Sequence, residues 1–196
     1  MKIEAKQIQE LRLATGAGVM DCKRALEGTA GNMAKALAIL KEKQAQIAKK
    51  KEQNATKAGY VYAYVHGDGR VGVMIEARCE TDFLSKSADF RSLVHELALH
   101  IASEAPCYVK VSDVPPEVLA AVEAEAEAAA LALDRPATAV PKIKAGKMRK
   151  FLSKSCLMEQ PFVKNPDVSV ASLLQSLSAR SGESVQVVQF SRYEVE

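Results

Sequence analysis

The first residues in this chain whose types and spacing could do chemistry are glycines. Gly67-Asp68-Gly69-Arg70-Val71-Gly72 matches the G-x-G-x-x-G pattern. Dinucleotide binding needs a strand before that pattern and a helix opening after it, so that the pyrophosphate meets free helix N–H groups. Here alternating, strand-like residues lie on both sides, and a Gly-Asp-Gly hairpin turn accounts for the pattern. "GAGVMD", Gly16 to Asp21, opens a helix but has no strand before it and no third glycine. The G-x-x-x-x-G-K-[ST] phosphate loop does not occur.

Metal and nucleophile chemistry finds no better footing. His95 and His100 are five positions apart on one expected helix, about 140° around it, so they cannot share a metal ion. His66 sits at a hairpin corner. Each histidine reads as a surface or packing residue. Cys22, Cys79, Cys107 and Cys156 are widely spaced and form no C-x-x-C pair, so they read as reduced, mostly buried thiols of a cytosolic protein. Carboxylates crowd together only on a Glu-rich helix, where solvated charge is the ordinary explanation. No catalytic set, cofactor site or metal site assembles, and the expectation is a protein that binds rather than an enzyme.

Two stretches could carry binding. In "CETDFLSK" (Cys79–Lys86), Thr81 and Asp82 are natural helix caps, and a carboxylate there faces the positive end of the following helix. Phe83 then falls between two polar clusters, outside the next helix's apolar stripe. It either folds back as a hydrophobic staple or is held out for a partner. In "TGAGVMD" (Thr15–Asp21), Cys22, Ala25 and Leu26 fill the inner face that follows. One of Val19 and Met20 then faces outward, beside the basic residues Arg12, Lys23 and Arg24. An outward Met suits an adaptable docking surface, and a Met packed under the first helix fits the pattern as well.

The elements that position these stretches follow from periodicity. Ile8 and Leu11 mark a first helix, and Thr15-Gly16 stops it, because Gly supplies the left-handed conformation that ends a helix. A second helix runs from about 19 to 27. A third begins after Asn32, carries Met33, Leu37 and Leu40 on one stripe, and fades as a polar extension into a linker at about 50–58. "GYVYAYVHGDGRVGVMIEARCE" is a hairpin whose second strand turns Val71, Val73, Ile75, Ala77 and Cys79 to one face. A helix over 88–103 shows Phe90, Leu93, Val94, Leu97 and Ile101 on one stripe. Residues 104–117 form a connector with a short extended piece. An acidic helix at 116–133, a turn at "DRPAT" and a basic helix at 137–156 make an antiparallel helical hairpin with complementary charge. "EQPFVKNPD" reads as irregular. A helix at 169–180 and a closing strand complete the chain. The expected class is α+β: a three-helix docking module over 1–52, a linker over 53–58, and an α+β core over 59–196 with a three-stranded antiparallel sheet.

Composition constrains what such a protein does. The 196 residues are 48% hydrophobic and 26% charged, ordinary for a folded chain. No apolar run approaches the roughly 20 residues that span a bilayer. "MKIEAKQIQE" lacks the apolar region of a secretory signal and carries acids that transit peptides avoid, so a cytoplasmic location with no membrane partner is expected. The net charge of +3 is uneven. Residues 1–58 hold twelve Lys and Arg against six Asp and Glu; the rest hold fifteen against eighteen. A basic first module can mean nucleic acid. However, residues 1–58 contain no Phe, Tyr or Trp on which bases could stack. A solvated helix surface is therefore preferred, with no direct nucleic-acid contact.

"LRLATGAGVMDCKRAL" (Leu11–Leu26), "EARCETDFLSK" (Glu76–Lys86) and "EQPFV" (Glu159–Val163) together resemble the elongation factor Ts family, which restores nucleotide to elongation factor Tu in bacterial translation. The segments keep the family's order and spacing, and the resemblance covers the whole chain. It implies a UBA-like N-terminal module and the short bacterial form, with one core subdomain and, in some members, a homodimer. It further implies a guanine-nucleotide exchange factor with no cofactor. The loop matching Thr81, Asp82, Phe83 and Leu84 would enter the nucleotide-binding domain of elongation factor Tu, with the aromatic ring wedged beside its Mg²⁺ site. Arg12, Val19, Met20 and Lys23 would dock on the same domain. Arg78, Leu84 and Val19 depart from the family's usual Asn, Val and Met, around an intact Thr81-Asp82-Phe83. Two other classes stay open: a ribosome- or RNA-binding accessory protein, marked by steep salt dependence, and a small enzyme with a hidden site.

Overall fold

A computed structural model describes residues 3–51, 54–132 and 140–195. Its first helices are α1 (Ala5–Thr15), α2 (Val19–Gly28) and α3 (Met33–Lys51), where the periodicity places them. Leu11, Cys22, Ala25, Leu26, Ala36 and Leu40 form their buried core, with Ile8, Met33 and Leu37 packed around it. The α1–α2 turn depends on Gly16, whose φ of 67° places it in the left-handed region while its N–H returns to Arg12 O at 2.7 Å. Asn32 caps α3, its Oδ1 accepting from Lys35 N at 3.0 Å.

The hairpin follows as β1 (Ala58–His66) and β2 (Val71–Cys79). Strand β5 (Val185–Glu194) pairs on the other side, giving the antiparallel order β1-β2-β5. In the central strand Val73, Ile75, Ala77 and Cys79 are buried, while Met74 and Arg78 are exposed. This is the period-two alternation of a sheet with one covered face. β1 passes close to β2 at Gly59, where a Cβ would lie 2.5 Å from Ala77 O.

After β2 the chain makes a single helical turn, α4 (Asp82–Ser85), before α5 (Ala88–Glu104). The sequence places the helix start at about 88, where α5 begins. The separate α4 turn ahead of it is what the structure adds, and Ser87 starts α5 by accepting from Phe90 N at 3.2 Å. Phe90, Val94, Leu97 and Ile101 of α5 are buried, as their stripe requires.

The expected helical hairpin is α6 (Pro116–Ala132) with α7 (Val140–Ser155). Lys144 Nζ lies 3.0 Å from Glu127 Oε2, an ion pair of the complementary kind. The "DRPAT" turn falls outside the described residues. The connector before α6 contains a 3-10 turn at Val111–Asp113 and one parallel bridge, Tyr108 with Cys156. "EQPFVKNPD" is not wholly irregular. It contains β3 (Pro161–Phe162), which pairs antiparallel with β4 (Asn165–Ser169). Pro161 and Pro166 hide this pair in the sequence, since proline weakens any strand reading but is tolerated at strand starts and free edges. Helix α8 (Val170–Ser181) leads into β5.

Contacts group the chain into two compact units. One takes in the chain up to Tyr62, Ile75–His95 and Ser172–Val188. The other takes in Ala63–Met74, Glu96–Ala171 and the chain from Gln189 onward. No helix among the described residues is long and apolar enough to cross a membrane.

Candidate functional site

The first unit holds both candidate stretches. Thr81 has extended backbone (φ −126°, ψ 153°) and is the N-cap of α4, its Oγ1 accepting from Leu84 N at 3.3 Å. Ser85 Oγ donates to Asp82 O at 2.9 Å, which closes the turn. Consecutive helical residues point about 100° apart, and the turn uses that rotation. Leu84 and Ser85 go inward, at 6% and 5% exposure, and Phe83 goes outward at 87%. Burying a Phe side chain contributes about 1.5–3 kcal/mol, and this fold leaves nearly all of that gain unused. The ring is not a staple. Asp82 is exposed at the first position of the turn. Leu84, grouped in the sequence reading with the contact residues, is an anchor within the free chain.

The turn is held from both sides by carboxylates. Thr81 donates to Glu183, from its backbone N at 3.0 Å and from Oγ1 at 2.7 Å. Glu80 returns the contact, its Oε1 accepting from Ser184 N at 2.6 Å and from Asn54 Nδ2 at 2.9 Å. Cys79 donates its thiol to Thr81 O at 3.2 Å. Burial pushes that thiol's pKa up, and the Glu183 and Asp82 charges push it the same way, so it serves as a protonated donor. None of Glu80, Glu183, Ser184 and Asn54 stands out in the sequence as a site residue. The one local signal is Gly182 (φ 73°), which ends α8 and turns Glu183 back.

On the helical module, Val19 and Met20 are both exposed, at 48% and 62%. Arg12 and Lys23 are exposed as well. Cys22, Ala25 and Leu26 fill the inner face as expected. Sequence reasoning missed Leu13, which is 80% exposed. Its signal was present, since Leu13 falls off the Ile8–Leu11 stripe. Arg12 also lines a cleft of about 410 Å³ with Gly18, Asp21, Lys43 and Arg180. The Asp21 carboxylate is held below its usual range by Lys43, 2.7 Å away, and by Arg24 at 2.8 Å.

The third motif, Glu159–Val163, lies in the second unit around His100. Val163 N donates to His100 Nδ1 at 3.2 Å, so the ring proton belongs on Nε2. Nε2 faces Gln160 Oε1 at 2.9 Å, and Gln160 Nε2 donates to Lys154 O at 2.7 Å. His100 is therefore a buried packing group, as its pattern implied. His95 and His66 each meet a tyrosine hydroxyl, of Tyr62 and Tyr64, at 2.8 Å. Among the described residues no group of three or more His, Cys, Asp or Glu is placed to hold a metal ion.

Comparison with known proteins adds independent information. The family model described as "Elongation factor TS" matches residues 5–196. Elongation factor Ts of Moorella thermoacetica is 46% identical over 193 residues, covering 98% of this chain and 95% of that protein. The Carboxydothermus hydrogenoformans protein of the same name is 44% identical over 193 residues, 98% of this chain and 89% of its own length. That of Thermotoga neapolitana is 43% identical over 196 residues, 100% of this chain and 98% of its own length. With a match that begins at the first helix and continues through the last strand, the chain belongs to the elongation factor Ts family.

Proposed function

We propose that this chain is a translation elongation factor that acts as the guanine-nucleotide exchange factor for elongation factor Tu in the cytoplasm. It binds the GDP form and the nucleotide-free form of that partner. The Thr81–Leu84 turn enters near the partner's Mg²⁺ site, GDP leaves, and GTP rebinds. The observation that carries this reading is the exposure of Phe83 on a turn fastened on both sides, in a chain that belongs to this family.

The physics is that of a wedge. A nucleotide's phosphates are held by Mg²⁺ and by oriented backbone N–H groups. A rigid aromatic that displaces them weakens the nucleotide and makes or breaks no bond. Binding of factor and binding of nucleotide then oppose each other by the same factor in both directions. Phe83 supplies the wedge, Asp82 a charge beside it, and Thr81 and Leu84 the anchorage. Residues 1–52 serve as a docking module through Arg12, Val19, Met20 and Lys23. The linker at 53–58 and the core at 59–196 carry the rest, and a homodimer belongs to the same reading.

The test is stopped-flow release of fluorescent GDP from the cognate elongation factor Tu. Wild type accelerates release strongly. Phe83→Ala lowers the rate at saturating factor by at least about ten-fold, as removal of a central aromatic anchor does. Equal acceleration by both proteins sinks the wedge. No acceleration by either sinks the exchange reading, and RNA binding with steep salt dependence then becomes the class to test.

A further inference from the structure

We propose that Glu183 is a positioning residue: it fixes the direction in which Phe83 is presented, by clamping the N-cap of α4 from a turn elsewhere in the chain. The inference deepens the exchange reading and rests on it for its functional consequence.

Thr81 links the carboxylate to the turn. Its Oγ1 has one proton and two lone pairs. The proton goes to Glu183 Oε1 at 2.7 Å, and a lone pair accepts from Leu84 N at 3.3 Å. The backbone N–H of the same residue goes to Glu183 Oε2 at 3.0 Å. One carboxylate thus sets both the Thr81 rotamer and its backbone direction. The rotamer sets the cap, the cap sets α4, and α4 rotates Phe83 outward. A four-residue helix cannot hold itself, since helix nucleation is unfavourable for so short a piece. Its direction must come from outside, through buried Leu84 and through this carboxylate.

The contact is reciprocal. Glu80 and Thr81 are neighbours, as are Glu183 and Ser184. Each pair lends a carboxylate to a backbone N–H of the other. Two charge-assisted bonds running in opposite directions resist rotation in a way that one does not. Glu183 is aimed by its own turn, in which Gly182 holds φ 73° and Ser178 Oγ donates to Glu183 O at 2.6 Å.

The chain contains no Trp, so Phe83→Trp provides a single tryptophan at the tip, which can be excited selectively over the five tyrosines. In that background Glu183→Gln and Thr81→Val are made singly and together, with Thr81→Ser as the conservative control. Two readouts are taken. The first, free of any partner, is the tryptophan anisotropy at position 83. The second, in the Phe83 background, is nucleotide release from elongation factor Tu, separated into the rate at saturating factor and the half-saturating concentration.

Glu183→Gln is expected to lower the anisotropy and to cut the saturating rate by about ten-fold, as misplacement of a working group does. The half-saturating concentration, governed by the docking module, changes little. Thr81→Ser keeps both readouts, and adding Glu183→Gln to Thr81→Val has little further effect. An unchanged anisotropy in Glu183→Gln overturns the positioning role, whatever the release assay gives. A lowered anisotropy with an unchanged saturating rate overturns its link to exchange. A lowered anisotropy alongside a wild type that never accelerates release supports the clamp and removes the exchange reading instead.

Discussion

Phe83 and Leu84 are consecutive residues of one helical turn, and the fold treats them oppositely: the first stands in solvent and the second is buried. The pair separates the proposed wedge from the residue that anchors the turn. Phe83→Ala changes unfolding free energy by no more than about 0.5 kcal/mol, as substitutions of exposed side chains usually do. Leu84→Ala costs about 2–5 kcal/mol through lost burial and the cavity left behind. Chemical denaturation of the two variants checks this, and a large loss in Phe83→Ala would mean that the ring packs on its own chain in solution.

Two glycines of the sheet make a second contrast. A Cβ at Gly59 would meet Ala77 O at 2.5 Å and Arg78 Cα at 3.2 Å, both backbone atoms that can yield only if β1 moves away from β2. A Cβ at Gly72 meets nothing within 4 Å. Gly59→Ala is expected to destabilise by about 1–3 kcal/mol, the range of forced overpacking. Gly72→Ala stays within about 0.5 kcal/mol of wild type. Thermal unfolding of both variants decides, and equal midpoints would contradict the close strand approach.

Gly16 is constrained by its backbone. Its φ of 67° ends α1, and a Cβ there would lie 2.9 Å from Arg180 Cδ. Arg180 is a flexible side chain and can move aside. The backbone cannot, so Gly16→Ala costs about 1–2 kcal/mol from the left-handed conformation alone. Removing the Arg180 side chain should not restore that loss. If Arg180→Ala rescues Gly16→Ala, the clash rather than the backbone is the cause.

His100 makes stability depend on pH. Burial holds its pKa below the ordinary 6.5, outweighing the Gln160 hydrogen bond and the Glu104 charge, which push the other way. The neutral ring also suits its partners, because Nδ1 must accept from Val163 N. The unfolded chain therefore binds the proton more readily than the folded one. Stability is fully present above pH 6.5 and falls as pH drops from there towards the lowered folded value. The Asp21 contribution lies in a separate window, since its lowered carboxylate loses stabilisation only below about its ordinary 3.8. Unfolding midpoints between pH 7 and 5 should decline in wild type, and the decline should flatten in His100→Gln. An equal decline in both proteins would place the titration elsewhere.

Much of this protein was legible in the order of its residues, because periodicity and turn chemistry act between near neighbours. The inner face of α2, the alternation of β2, the Gly-Asp-Gly hairpin and the stripe of α5 each follow from side chains a few positions apart. The charge complementarity of α6 and α7 was equally plain, and so was the absence of aromatics in the basic module. What near neighbours could not decide was Phe83. A polar-flanked aromatic after a strand fits a staple or a tip equally well, and the choice depends on what packs beside the turn. That neighbour is Glu183, 102 positions from Thr81 in the chain. Only tertiary structure brings a carboxylate from the end of α8 to the cap of α4, buries Leu84, and leaves the ring outside. The short β3–β4 pair was hidden for a related reason. Two prolines dominate its local signal, and the strand exists because of the partner folded against it.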